Sequence, residues 1–369
     1  MSTTTVTETP TKVATKIEGD YVYFHYDGRF GERRKVLTGE EMKSTFTEIP
    51  IIDVGGMFSE KLEDRMKVAK QVAQACEDVG FFYMKNHGVE QKLIDDQWKI
   101  MKEYFAMPLE KKMEHYIYKN KDLKGYEPVH GARLDDTKPR GDRKESFLNS
   151  YDPEYDPVPP TLSEASKRMM NLNQWPAEWP EFKEQIMAYH SRFITLARQL
   201  TRCFALGLGA EETALDKLVD APNTNQKILH YPPQDPDIKD DTGIGAHTDF
   251  TLFTILNQDK VGGLEVLNAN AHWVPAAPIE GTFVVNVGDF LMRMANNRFV
   301  STVHRVVNES GKERYSTPFF FSPNLDAVCL PECCSADRPA AYEPLTVGDY
   351  YELRHSMQRH RFKTRGIGQ

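Results

Sequence analysis

Two residues with metal-binding side chains stand two positions apart in the stretch GAHTDF, residues 245–250. They are His247 and Asp249, and they lead into a run from Thr251 that predicts a strand. Residues i and i+2 of a strand share a face, so the two side chains are expected to point the same way. His304 lies 55 residues after Asp249 in a second β-branched run, STVHRVV, and pairing of the two strands would bring it close. Two imidazoles and one carboxylate leave three positions open around a metal, as in non-haem Fe(II) oxygenases. Taken singly, the His-x-Asp pair also fits a hydrogen-bonded turn, and His304 also fits a core histidine.

A basic residue follows His304 by ten positions, in the stretch ERYSTPFFF. Arg314 and Ser316 are again two apart, which predicts a guanidinium and a hydroxyl on one strand face, a pair suited to holding a carboxylate. A cation at the back of an Fe(II) site suits the distal carboxylate of 2-oxoglutarate. An arginine buried among apolar residues without an anion would be costly. The alternative is an exposed arginine that follows a Glu-Lys turn.

The composition argues against several classes of protein. The 369 residues carry 54 acidic and 46 basic side chains, with a formal net charge of −8 and a pI near 5.8, which argues against general binding to nucleic acid or acidic membranes. Hydrophobic residues make up 40%, enough for a sizeable core, and no apolar run approaches the roughly 18–20 residues that span a bilayer. The N-terminus lacks the apolar region of a secretory signal. Five cysteines without paired CxxC motifs predict reduced thiols and a cytoplasmic location.

Periodic apolar positions predict helices on both sides of a β-rich region. The expected helices are 59–79 with Ser59 as N-cap, 91–106, 180–207 and 346–362. A hairpin is expected at 21–30 with its turn at Asp27-Gly28, short strands near 49–52 and 80–88, and a loop-bearing region at 120–160. From residue 223 onward, short runs separated by turn residues predict a β-sandwich or barrel. These runs are 226–231, 251–257, 263–267, 282–287, 300–307 and 315–322.

The predicted fold class is therefore α+β with a mainly β core. We expect one compact unit with four parts. They are a disordered tail at 1–16, a mostly helical region at 17–222, a β core at 223–330, and a helical tail at 331–369. The helical tail either packs on the barrel or acts as a lid.

Several motifs occur in a characteristic order. The N-terminal ones are IPIIDVGGM (49–57), GFFYMKNHGV (80–89) and YFAMPLEKK (104–112). The later ones are KILHYPP (227–233), GAHTDFTLFTIL (245–256), GGLEV (262–266), VVNVGDFLMRMANNRFVSTVHRVV (284–307) and RYS (314–316). Over roughly residues 48–330, the chain resembles the 2-oxoglutarate/Fe(II)-dependent dioxygenases of the isopenicillin N synthase-like group, which includes flavonoid oxygenases and thymine dioxygenase.

The resemblance implies a double-stranded β-helix, or jelly roll, buttressed by N-terminal and C-terminal helices. It implies Fe(II) ligation by His247, Asp249 and His304. It also implies that the C5 carboxylate of 2-oxoglutarate is held by Arg314, Ser316 and Tyr231. Leu229 stands where plant relatives often have asparagine, so one cofactor contact is expected to be missing. The implied cofactors are Fe(II), 2-oxoglutarate and O₂, with ascorbate as a supporting reductant.

The implied reaction converts 2-oxoglutarate to succinate and CO₂ while a small-molecule substrate is hydroxylated or desaturated. We expect an aromatic or polycyclic natural product of specialised metabolism, because an aromatic-lined pocket favours such a molecule. The candidate substrate contacts by position are Lys227, Phe250, Phe320, and Phe147 within RKESFLNS (143–150). No nucleic-acid or membrane partner is expected.

Four alternatives stay open on the residues alone. A 2-oxoglutarate-independent Fe(II) oxidase would keep the Arg-x-Ser pair for another carboxylate, and an ethylene-forming type would break up 2-oxoglutarate itself. A noncatalytic jelly-roll binding protein would need neither an intact triad nor Arg314. A zinc hydrolase would need no arginine, and the chain lacks a glutamate placed like that of HExxH. The identity of the bound metal would distinguish a zinc hydrolase from the others. Succinate formation would distinguish the 2-oxoglutarate-dependent enzymes from the oxidase.

Overall fold

The computed structural model describes most of the chain: residues 20–26, 29–119, 123–132, 141–168, 173–234, 242–329 and 338–354. Some predictions lie outside the described residues. They are the disordered tail at 1–16, the hairpin turn at Asp27-Gly28, and residues 355–362 of the C-terminal helix.

The strands of the described residues form two main sheets. The strands are β1 (Tyr21–Tyr26), β2 (Arg29–Lys35), β3 (Ile51–Asp53), β4 (Phe81–Lys85), β5 (Gly125–Glu127), β6 (Glu145–Ser150), β7 (Asn223–Tyr231), β8 (Ile244–His247), β9 (Phe253–Gln258), β10 (Leu264–Leu267), β11 (Trp273–Pro275), β12 (Thr282–Val287), β13 (His304–Val306), β14 (Arg314–Ser322), β15 (Val328–Cys329) and β16 (Leu345–Thr346). The minor sheet has the order β11-β10-β13-β8-β1-β2, and the major sheet has the order β3-β4-β12-β9-β14-β7-β6-β5. Strands β15 and β16 pair separately.

The two sheets face each other across an apolar interior. Leu229 and Tyr231 on β7, in the major sheet, belong to one buried cluster with Val266 on β10 and Val306 on β13, in the minor sheet. Side chains alternate between the two faces of a strand, so Ile228 lies on the other face of the major sheet, in a cluster with residues of the helices. Two facing sheets, mainly antiparallel and with this interior, have the architecture of the jelly roll that the resemblance implied.

The described residues also form helices, and the longest of them cover the outer face of the major sheet. The helices are α1 (Leu62–Asp78), α2 (Gln91–Phe105), α3 (Leu109–Met113), α4 (Glu164–Arg168), α5 (Pro180–Leu208) and α6 (Asp289–Met294), and residues 347–354 are also helical. Helix α5 has Pro180 in its first turn and ends at Gly209, whose φ of 84° glycine adopts without strain. Its Phe193 and Phe204 join the main core with side chains of α1, β9 and β14. Within the described ranges, no helix combines the length and the apolarity needed to cross a membrane.

Two local predictions differ from the structure. Helix α1 begins at Leu62 with Lys61 as its N-cap, so the predicted N-cap Ser59 is wrong. Ser59 Oγ instead accepts a hydrogen bond from Lys61 N at 3.2 Å, which closes the preceding turn. The polar region 120–160 contains β5 and β6 as well as loops, and these strands extend the major sheet. They form strands because Tyr126 and other alternate residues are buried against the helices.

Candidate metal and co-substrate site

His247, Asp249 and His304 come together where β8 and β13 pair. Strand β8 ends at His247, strand β13 begins at His304, and the two histidines are register partners. One ligand atom from each of the three residues lies within 4.8 Å of the other two. The Nε2 atoms of His247 and His304 lie 3.6 and 3.8 Å from Asp249 Oδ1. The sequence placed Asp249 on the same strand as His247, but Asp249 lies in the non-strand residues that follow β8.

Each histidine presents the same nitrogen to the centre of the group. His247 Nδ1 lies 2.7 Å from the carbonyl oxygen of Gly245, and His304 Nδ1 lies 3.2 Å from that of Thr302. A carbonyl oxygen accepts only, so these contacts require a proton on Nδ1 of the neutral ring. The lone pair of Nε2 then faces the other ligands, as metal-bound histidines require.

The Asp249 carboxylate is oriented by two donors on neighbouring strands. Thr254 Oγ1 donates to Asp249 Oδ2 at 2.7 Å, and Asn286 Nδ2 donates to the same oxygen at 2.9 Å. Because both donors bond Oδ2, the other oxygen, Oδ1, remains directed toward the two histidines. The donor set is therefore two imidazole nitrogens and one carboxylate oxygen, which fits Fe(II) with positions left open for co-substrates.

The three side chains are electrostatically coupled. Burial, together with the charge of His247, lowers the pKa of His304 to about 4. Burial opposes ionisation of Asp249, but the charges of His304 and His247 and its hydrogen bonds hold its pKa below the usual range. The ionised carboxylate and neutral His304 are the forms that ligate a metal.

Arg314 forms a buried cationic group in the barrel interior. Its side chain is fully buried, and its Nη1 donates to Ser316 Oγ at 3.2 Å. Nη2 lies 3.4 Å from Gln258 Oε1, and the guanidinium lies 4.7 Å from the Tyr231 ring centroid. Nε has no hydrogen-bond partner among the described residues. These described neighbours are all neutral, so the guanidinium fits a ligand carboxylate, and the residues present fit 2-oxoglutarate.

The strand register places the expected co-substrate contacts side by side. Arg314 is the register partner of Tyr231, and Ser316 is the partner of both Leu229 and Gln258. Leu229 is buried in the apolar cluster between the sheets, and its alkyl side chain offers no hydrogen bond to a carboxylate.

Two of the four substrate candidates lie on the inner face of the major sheet. Lys227 alternates with Leu229 along β7, and Phe320 alternates with Ser316 along β14, so all four face the interior. Phe320 is the register partner of Thr254, the residue that bonds Asp249.

The other two candidates lie elsewhere. Phe250 follows Asp249, and its ring lies 5.0 Å from that of Tyr351 in the C-terminal helical segment. Phe147 is fully buried on the opposite face of β6, with its ring centroid 5.2 Å from Tyr104 and 5.1 Å from Phe182. Because strand alternation turns Phe147 toward the helices, we do not retain it as a substrate contact.

Three residues that orient the site were not singled out from the sequence. Thr254 and Asn286 are polar residues flanked by apolar residues in their strands, and Gln258 is the last residue of β9. That pattern was the available signal, because a polar side chain buried in a strand needs a hydrogen-bond partner. Their partners, Asp249 and Arg314, lie in other segments of the chain, so the pattern alone does not identify them.

The N-terminal hairpin supports the ligand strand directly. Strand β1 pairs in parallel with β8, with His25 as the register partner of His247. The backbone N–H of Thr248 donates to the carbonyl oxygen of His25 at 3.1 Å. The hairpin therefore fixes the backbone between the first two candidate ligands.

Comparisons with known proteins identify the family. A model described as the N-terminal region of non-haem dioxygenases in morphine synthesis matches residues 49–178, and the 2OG-Fe(II) oxygenase superfamily model matches residues 222–323. The chain is 38% identical over 340 residues to the 2-oxoglutarate-Fe(II) type oxidoreductase ppzC of Metarhizium rileyi, covering 87% of this chain and 90% of that one. It is 39% identical over 311 residues to hxnY of Emericella nidulans, a protein of the same description, covering 82% and 88%. Its structure is similar to full-length Neurospora crassa T7H in complex with alpha-KG and thymine, with a TM-score of 0.72, 28% identity, and coverage of 85% and 97%.

The chain therefore belongs to the 2OG-Fe(II) oxygenase superfamily. It is a 2-oxoglutarate-dependent dioxygenase, and its cofactors are Fe(II), 2-oxoglutarate and O₂. The predicted fold class, an α+β double-stranded β-helix, is confirmed.

Proposed function

We propose that this dioxygenase hydroxylates or desaturates a small organic molecule, with conversion of 2-oxoglutarate to succinate and CO₂. The observation that carries the proposal is the fully buried Arg314, which has neutral described neighbours and shares the barrel interior with two imidazoles and a carboxylate. A buried cation of this kind is costly without an anion, and the distal carboxylate of 2-oxoglutarate would supply it.

The residues divide into two groups by proposed role. His247, Asp249 and His304 would hold Fe(II), and Arg314, Ser316 and Tyr231 would hold the distal carboxylate of 2-oxoglutarate. Once bound, Fe(II) with 2-oxoglutarate and O₂ supplies an oxidant able to remove hydrogen from carbon. The protein orients the carboxylate through Thr254 and Asn286, and the carbonyl oxygens of Gly245 and Thr302 favour the tautomer in which each neutral imidazole turns an unprotonated Nε2 toward the metal position.

The finer substrate proposal rests on Phe320, on the inner face of the major sheet, and on Phe250, which follows the candidate ligand Asp249. We propose an apolar or aromatic portion packed against Phe320 and Phe250, as expected for an aromatic or polycyclic natural product of specialised metabolism. Thymine is the ligand of the Neurospora crassa structure, which supports a small cyclic molecule. Ascorbate is proposed as a supporting reductant, and the cytosol as the location, which the free thiols of Cys76 and Cys203 support.

The test measures succinate formation by the purified protein with Fe(II), 2-oxoglutarate and O₂. We expect succinate to require both Fe(II) and 2-oxoglutarate and to be lost in His304→Ala. Succinate formation at an equal rate without added Fe(II) in metal-stripped protein, or in His304→Ala, would contradict the proposed ligand set.

A further inference from the structure

A group of charged side chains lies on the inner face of the major sheet. It consists of Glu127 on β5, Lys144 just before β6, and Lys227 on β7, and we call it the two-lysine cluster. Both ammonium groups reach the same carboxylate oxygen, with Lys144 Nζ and Lys227 Nζ each 3.1 Å from Glu127 Oε2. Ser146 Oγ also donates to that oxygen at 3.3 Å. One carboxylate oxygen is thus shared by two cations.

Strand alternation sets the direction in which the cluster faces. Lys227 alternates with Leu229 along β7, and Leu229 is buried between the two sheets. Glu127 is the register partner of Ser146, which in turn is the partner of Leu229. The intervening residue Phe147 packs against the helices on the outer face. The cluster therefore belongs to the barrel interior.

Within that interior, the cluster lies between the candidate metal ligands and the residues proposed to hold 2-oxoglutarate. Lys227 is four residues from Tyr231 on the same strand, which is about 13 Å along the backbone. The residues just before β6 approach β8, because Arg143 N donates to the carbonyl oxygen of Thr242 at 2.9 Å. Along the strand direction, Lys227 lies between the levels of Ser316 and Phe320 on β14, because these pair with Leu229 and Asn225, and Phe320 also pairs with Thr254, which bonds Asp249. A molecule placed over the metal would thus have the cluster at its side.

Lys227 is the member of the cluster that a bound molecule can reach. Its side chain is 20% exposed, against 4% for Lys144 and 8% for Glu127. An ammonium group has three N–H donors, and among the described residues Lys227 donates only to Glu127. Burial and the charge of Lys144 lower the pKa of Lys227, whereas Glu127 and Asp142 oppose that change. A bound carboxylate would add to the effect of Glu127 and Asp142 and favour the charged form of Lys227.

We propose that Lys227 binds a carboxylate group of the substrate, with Glu127 holding its ammonium in place and Lys144 in turn holding the Glu127 carboxylate. This inference rests on the proposed function and adds a polar group to the substrate class: a small organic acid, with its acid group at Lys227 and its apolar part toward the metal. Glu127 and Lys144 are positioning residues in this arrangement, because they act through Lys227.

The test compares carboxylic acids with their uncharged primary amides. The probes are matched pairs, such as benzoate and benzamide, phenylacetate and phenylacetamide, and hexanoate and hexanamide. The readout is the stimulation of succinate formation by the wild-type holoenzyme at saturating Fe(II) and 2-oxoglutarate. We expect at least one acid to stimulate at a concentration at least tenfold lower than its amide does. We expect Lys227→Met to lose that preference, Lys227→Arg to retain most of it, and both to keep the KM for 2-oxoglutarate within about twofold.

The matched control is Lys112→Met. Lys112 is on helix α3, which packs at the other face of the same sheet. Lys112 Nζ forms a buried salt bridge with Glu145 Oε2 at 2.7 Å, so its removal, like that of Lys227, takes one cation away from a buried carboxylate that keeps other partners. This variant should unfold more readily but keep the preference for acids. A folded Lys227→Met protein that keeps the preference, or that instead raises the KM for 2-oxoglutarate tenfold, would overturn the proposal.

The remaining outcomes separate the inference from the proposed function. Wild-type protein that forms succinate but shows no acid preferred over its amide overturns the role of Lys227 alone. Wild-type protein that forms no succinate with Fe(II) and 2-oxoglutarate overturns the proposed function, and this inference with it.

Discussion

Replacing Arg314 with methionine separates the cost of this cation in the folded protein from its use in binding 2-oxoglutarate. Arg314 is fully buried, and its described contacts are Ser316 at 3.2 Å, Gln258 at 3.4 Å and the Tyr231 ring at 4.7 Å. None of these groups is an anion. Without 2-oxoglutarate, the Arg314→Met variant should therefore be as stable as the wild type or more stable, because an apolar group of similar size replaces a buried unpaired charge.

The same substitution should weaken the binding of 2-oxoglutarate, and the size of this loss follows from the hydrogen bond removed. A hydrogen bond to a charged group contributes roughly 1.5–3 kcal/mol, so its loss should weaken 2-oxoglutarate binding about 10- to 150-fold. At a 2-oxoglutarate concentration 100 times its Kd, the wild type gains about 2.7 kcal/mol of unfolding free energy. At the same concentration, the variant should gain only about 0.3–1.4 kcal/mol.

The assay is urea unfolding of the Fe(II)-loaded protein under argon, with and without 2-oxoglutarate. Arg305→Met is the control, because Arg305 Nη2 lies 2.7 Å from Glu265 Oε2 and the side chain is paired. This control should lose stability in both conditions and keep the full gain from 2-oxoglutarate. If Arg314→Met kept the full gain instead, Arg314 would not bind the co-substrate, and the assignment would be wrong.

Three further predictions concern the metal ligands and the core. His247→Ala should abolish Fe(II) binding and succinate formation, and full activity in this variant would exclude His247 as a ligand. Thr254→Val removes the 2.7 Å bond to Asp249 Oδ2 and should weaken Fe(II) binding about 10- to 100-fold, measured by anaerobic titration, whereas unchanged affinity would mean that Asp249 needs no such support. Burial lowers the pKa of His190 to about 3, so the unfolded chain binds its proton first and the folded protein loses stability as pH falls from about 6.5 toward 3. His190→Gln should remove up to about 1.4 kcal/mol per pH unit of that loss, measured as the free energy of unfolding at a series of pH values. If the wild type and the variant lost stability in parallel, His190 would not be the source of this pH dependence.

The sequence was most informative where one strand carries both members of a pair. Arg314 and Ser316 lie on β14 and share a hydrogen bond, as the i, i+2 spacing predicted. The spacing of His247 and Asp249 also predicted their proximity, although β8 ends between them. Backbone geometry is local, so such pairs can be inferred without knowledge of the fold.

The sequence was least informative where a role depends on which face of a strand is inward. Phe147 is one residue from Ser146, yet Phe147 packs against helices and Ser146 faces the barrel interior. A shift of one residue reverses the face, and the polar surroundings of β6 gave no periodicity to fix it. The shared contacts of Lys144 and Lys227 with Glu127 join residues 17 and 100 positions apart in the chain, respectively, so only the sheet order brings them together.

The most direct test of the central claim is an anaerobic titration of metal-free protein, first with Fe(II) and then with 2-oxoglutarate, followed by visible absorption. A chelate of 2-oxoglutarate on bound Fe(II) gives a weak charge-transfer band, and we predict that this band forms in the wild type and requires both additions. We predict that it is absent in His247→Ala and needs more 2-oxoglutarate in Arg314→Met. Fe(II) binding without a band on addition of 2-oxoglutarate would contradict the co-substrate site, and failure to bind Fe(II) would contradict the ligand set itself.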